Sequence, residues 1–120
     1  MATDRKELLR QYKETPRTMG VAVVRHTESG RAFLFANLDI NALVNRYRTQ
    51  LRMGSHPNRA LQQDWNRFGE AAFAFEVLDT LTPKDDPEVK PEEELRLLEA
   101  LWLEKVEPFG EKGYNKAVGR

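Results

Sequence analysis

The chain has 120 residues, with 19 Lys and Arg against 19 Asp and Glu, and no cysteine. That length suits a single domain over residues 1–120 with a core of its own, and the lack of cysteine excludes disulfides and Cys-type zinc sites. No stretch approaches the ~20 apolar residues of a membrane helix, and the charged start Asp4-Arg5-Lys6 is no signal core, so a cytoplasmic protein without a membrane partner is the expectation.

Asp4-x-x-Glu7 reads as a capping box for a first helix carrying Leu8, Leu9 and Tyr12, which Pro16 ends. Met19 to His26 is rich in valine, and Ala32 to Phe35 is a short apolar run. Thr27-Glu28-Ser29-Gly30 separates them, so the pair reads as a β-hairpin. Asp39 is placed to cap a second helix whose apolar residues Ile40, Leu43, Val44, Tyr47 and Leu51 share one face, and Gly54 closes it. Asn58 is placed to cap a third helix with Leu61, Trp65 and Phe68, closed by Gly69. Phe73, Phe75 and Val77 alternate, which predicts a third strand over Phe73–Leu78. Thr82 to Pro91 reads as an exposed loop, and Pro91 to Val106 as the longest helix.

The predicted class is α+β, a small three-stranded sheet flanked by helices in the order α-β-β-α-α-β-α. The predicted core is Val21, Val23, Phe33, Leu43, Val44, Tyr47, Leu51, Trp65, Phe73, Phe75, Leu98 and Trp102.

Zero net charge conceals an asymmetry. Residues 1–60 carry eleven Lys/Arg against five Asp/Glu, and residues 61–120 carry eight against fourteen. The fold can turn this into one basic and one acidic face, or mix the two sets in space. Arg46, Arg48, Arg52, His56 and Arg59 form a local basic cluster, and the planar arginine fork suits phosphate. A solvated helix face would account for the same cluster. On the last helix, steps of about 100° per residue place Glu99 among Leu95, Leu98, Trp102, Leu103 and Val106. A carboxylate there must be paired, metal-bound or at the edge of the stripe. Metal-spaced histidines, a Ser/His/Asp arrangement, a P-loop and a dinucleotide fingerprint are all absent.

Taken in order, these segments resemble the GIY-YIG nuclease superfamily, in particular its small stand-alone bacterial members, from about Leu8 to Asn115. The resemblance is carried by the hairpin, Asn45-Arg46, Gly54-Ser55-His56-Pro57-Asn58, Leu61-Gln62-Gln63-Asp64-Trp65-Asn66, Phe68-Gly69, Glu99-Ala100-Leu101-Trp102-Leu103 and Gly113-Tyr114-Asn115. It implies hydrolysis of a nucleic acid phosphodiester with one divalent metal, such as Mg2+. Glu99 then matches the metal-holding glutamate, Arg46 the phosphate-contacting arginine and Asn115 the late asparagine. It also implies that Glu99 and Arg46 lie on one side of the sheet.

The name-giving motif departs from the family. Its first part reads Gly20-Val21-Ala22 and its second Phe33-Leu34-Phe35. Alanine cannot relay a proton, and phenylalanine keeps the ring but not the oxygen. A placed proton-transfer group contributes typically ~10²–10⁴-fold. The resemblance therefore implies a catalytically degenerate domain that retains a surface for the phosphate backbone of DNA or RNA. A working metal-dependent endonuclease and a protein-interaction module on the same scaffold are the alternatives.

Overall fold

A computed structural model describes residues 18–82 and 87–116 of the chain. The predicted first helix, and part of the predicted loop before Pro91, lie outside the described residues. Three strands, β1 (Met19–His26), β2 (Ala32–Asn37) and β3 (Phe73–Leu81), form an antiparallel sheet in the order β2-β1-β3. Three helices, α1 (Ile40–Met53), α2 (Arg59–Phe68) and α3 (Pro91–Val106), complete the α+β fold, with single 3-10 turns at Glu70–Ala72 and Gly110–Lys112.

The helix boundaries follow local chemistry. The Asp39 side chain accepts a hydrogen bond from the Ala42 N–H, and that of Asn58 accepts from the Leu61 N–H. Gly54 ends α1 in the left-handed region at φ 79°, which a residue with a Cβ adopts only at a cost. Pro91 opens α3, and Glu92, Glu93 and Glu94 fill its first turn, where negative charge complements the helix dipole.

The central strand β1 is buried on both faces. Ala22, Val24 and Phe35 pack with Ile40, Leu43 and Leu51 of α1 and with Leu61 and Trp65 of α2. On the opposite face Val21, Val23 and Leu34 meet Leu98, Trp102, Leu103 and Val106 of α3. Two-sided burial explains why β1 has no polar alternation: of its eight residues only Arg25 is not fully buried. It also adds Ala22, Val24, Leu34, Ile40 and Leu61 to the predicted core, while Phe33, Val44, Tyr47, Phe75, Leu98 and Trp102 are partly buried around it.

The outer edge of β2 is covered by the C-terminal segment. Gly113 bridges Ala32 in parallel, and the Tyr114 N–H donates to the Ala32 carbonyl at 2.9 Å. β3 contains an irregularity opposite Val21 and Ala22, whose partners are Asp79 and Val77.

Candidate functional site

The motif positions lie between the hairpin and α1. Ala22 on β1 pairs directly with Phe35 on β2, and both face α1. The space is filled by rings. Tyr47 packs edge-on against Phe35 at 4.8 Å and against His56 at 4.5 Å, and Phe33 contacts Phe35, Tyr47 and His56 at 5.6 to 6.0 Å. Burial raises the Tyr47 phenol above its ordinary range, with nearby Arg46 opposing the shift.

His56 does not behave as an exposed cationic contact. It is 5% exposed, and its Nδ1 accepts from the Asn58 N–H at 3.0 Å. Burial lowers its pKa, the backbone bond opposing, so the neutral ring is favoured. Its backbone N–H donates to Gln62 Oε1, and Gln62 in turn donates to the Leu51 carbonyl, tying the α1–α2 connection together. The expected phosphate contact is thus a buried loop anchor.

Asn115 is likewise spent on the backbone. Its carboxamide accepts from the Leu34 N–H at 2.8 Å and donates to the Leu34 carbonyl at 2.9 Å, completing the edge of β2. Arg52 forms a two-pronged pair with Glu70, at 2.8 and 2.5 Å. Arg48 lies over the Phe75 ring, 4.7 Å from its centroid. Arg46 and Arg59 are exposed, and neither has a hydrogen bond or ion pair among the described residues.

Arg46 and Glu99 stand on helices that pack against opposite faces of the sheet, α1 and α3. Glu99 is half-buried at the edge of its apolar stripe and lines an open hollow of about 180 Å³ with Asn37, Glu92 and Arg96. A hard divalent cation takes six or more oxygens. Among the described residues no three His, Asp or Glu side chains gather where they could hold one, and the Glu99 hollow includes the cationic Arg96. These residues do not make a preformed metal centre.

The fold sorts the charge. α1 carries Arg46, Arg48 and Arg52 and no acidic residue, whereas α3 carries Glu92, Glu93, Glu94, Glu99 and Glu104 against Arg96 and Lys105. Of these two helices one is therefore basic and the other acidic.

No family model matches the chain, and no curated protein matches it significantly. Solved structures do. The catalytic domain of the homing endonuclease I-TevI superposes with a TM-score of 0.66 at 19% identity, over 82% of this chain and 98% of that one. A Glu-to-Ala mutant of the I-TevI catalytic domain, described as an intron endonuclease, gives 0.67 at 17% identity, over 86% and 97%. The chain has a GIY-YIG-like fold. The three-stranded antiparallel sheet and the helices match that fold, and the rings between hairpin and α1 are those of Phe33, Phe35, Tyr47 and His56.

Two features of this GIY-YIG-like domain escape sequence reasoning. The Arg31–Asp64–Tyr114 cluster joins the hairpin, α2 and the C-terminal segment: Arg31 and the Tyr114 hydroxyl bond the same Asp64 oxygen at 2.9 and 2.7 Å. Burial and this bond push the Tyr114 phenol far above its ordinary range. The only signal was three polar residues scattered over more than eighty positions. The second is the Trp102 indole N–H, which donates to Asp79 and pins α3 to β3.

Proposed function

We propose that this domain holds nucleic acid by its phosphate backbone on the α1 side and does not hydrolyse it. The observation that carries the reading is the charge sorting: α1 presents arginines without a single acid, on a fold shared with a nuclease catalytic domain. Arg46 and Arg59 are the contacts, because their guanidinium groups are exposed and unpaired among the described residues. Arg48 contributes from its perch on Phe75, and Arg52 is already committed to Glu70. Hydrolysis lacks its proton-relaying groups, since Ala22 and Phe33 bring no hydroxyl and Phe35 occupies the space opposite Ala22. Glu99 shares its hollow with Glu92 and the cationic Arg96, and among the described residues no third ligand joins them for a metal.

The test is fluorescence anisotropy with a labelled oligonucleotide across a salt series. The expected result is a negative slope of log affinity against log salt, shallower by about one to two units in Arg46→Ala/Arg59→Ala. Absence of binding at low salt overturns the reading. So does Mg2+- or Mn2+-dependent cleavage that disappears in Glu99→Ala, which establishes the active endonuclease instead.

A further inference from the structure

Beyond α1, the same face of the sheet carries aromatic rings capped by arginines. Phe75 on β3 is half-buried beneath the Arg48 guanidinium, and beside it Val77 is 41% exposed. At the far end of α2, Phe68 is 43% exposed, with the Arg67 guanidinium 5.1 Å from its centroid. The two stacks are joined by a ladder of rings. Phe75 meets Trp65 at 6.4 Å, Trp65 meets Phe73 at 5.3 Å, Phe73 meets His26 at 5.2 Å and His26 meets Phe68 at 4.5 Å. His26 and Phe73 are direct cross-strand partners, so the ladder stays on one face of the sheet.

We propose that this face binds single-stranded nucleic acid in preference to duplex, with bases stacking on the Arg48–Phe75 and Arg67–Phe68 pairs while Arg46 and Arg59 meet the phosphates. The proposal rests on the phosphate-binding reading and adds the ligand class to it. Bases stack on arginine guanidinium planes and on aromatic faces alike, and each of these pairs offers both within about 5 Å of one another. Only unpaired strands offer base faces, because in a duplex each face is covered by its neighbour. The partner's chemistry follows from these two elements together: cationic, acid-free α1 selects a polyanion, and the ring-backed arginines select one with free planar groups. Phe68 is the more telling position. The preceding helix turns are closed by Gly69, whose N–H bonds the Trp65 carbonyl, so nothing in the α2 cap requires a large exposed ring next to it.

The experiment compares four 12-nucleotide probes: oligo-dT, oligo-dA, a mixed duplex and an abasic strand that keeps every phosphate and has no bases. Single strands with bases are expected to bind about tenfold tighter than the abasic strand, and tighter than the duplex. Phe68→Leu and Arg67→Gln are each expected to reduce that preference several-fold while leaving the salt slope of the abasic strand within error for Phe68→Leu. An adenine analogue probe, 2-aminopurine placed mid-strand, reports stacking directly as quenching that Phe68→Leu and Phe75→Leu diminish. Equal binding of abasic and normal strands, or tighter binding of duplex, overturns the single-strand proposal and leaves phosphate binding standing. Failure of all four probes to bind at low salt overturns both. Thermal melts of each variant separate a lost platform from a lost fold, Phe68 being the exposed and tolerant site of the two.

Discussion

Ala22 and Phe35 face one another across β1 and β2, and their sizes are coupled through the space under α1. Ala22 is fully buried, so Ala22→Tyr alone overpacks the site and is expected to cost about 1–3 kcal/mol. Phe35→Gly alone empties it. The double variant exchanges the ring between strands, and a double-mutant cycle read by chemical denaturation is expected to show favourable coupling above about 1 kcal/mol. Additive effects would mean that the two side chains do not share one space. His56 gives a pH signature. Its folded-state pKa is lowered by burial, so its contribution is complete above the unfolded value of about 6.5 and is lost as pH falls through the folded pKa. Tm is therefore expected to fall from pH 7.5 to pH 5, and less steeply in His56→Gln. Parallel curves for the two proteins would assign that fall to other groups.

At the scale of elements, the C-terminal segment behaves as part of the sheet. Residues Gly113, Tyr114 and Asn115 satisfy the backbone of Ala32 and Leu34 along the edge of β2. Asn115→Ala leaves two Leu34 groups without their partner and is expected to destabilise by about 1–3 kcal/mol, with faster hydrogen exchange at the Leu34 amide. Unchanged exchange there would contradict the edge-covering role. A Cβ on Gly113 would land on the Pro108 backbone, so Gly113→Ala is expected to lower the denaturation midpoint as well. This role for Gly113-Tyr114-Asn115 was not legible from spacing. The helix caps were: Asp39 and Asn58 act through contacts three residues away, within the range that local sequence records.

The near-neutral chain, with its pI of about 6.8, separates charge between its helices, α1 basic and α3 acidic among the described residues. Such a protein is expected to bind a phosphate-bearing resin at pH 7 despite negligible net charge, and Arg46→Ala/Arg59→Ala to elute at lower salt. Elution of both in the void would show that the α1 field is too weak to capture a polyanion. The same separation places Glu99 on the acidic helix and Arg46 on the basic one.

The order and kind of the described elements were determined by the sequence alone, because hydrophobic period, caps and turns act over a few residues. β2 extends past Phe35 to Asn37 and β3 past Leu78 to Leu81, since ladder bonding adds residues that periodicity does not mark. The tertiary structure decided the rest. Packing against both faces of the sheet made Ala22, Val24 and Leu34 core residues, and it put α1 and α3 on opposite faces. Packing turned His56 and Asn115 from apparent contacts into anchors and left Arg46 exposed. A residue's type limits its chemistry, but whether it meets solvent, backbone or another side chain depends on segments far away in the chain, and only the assembled fold brings those together.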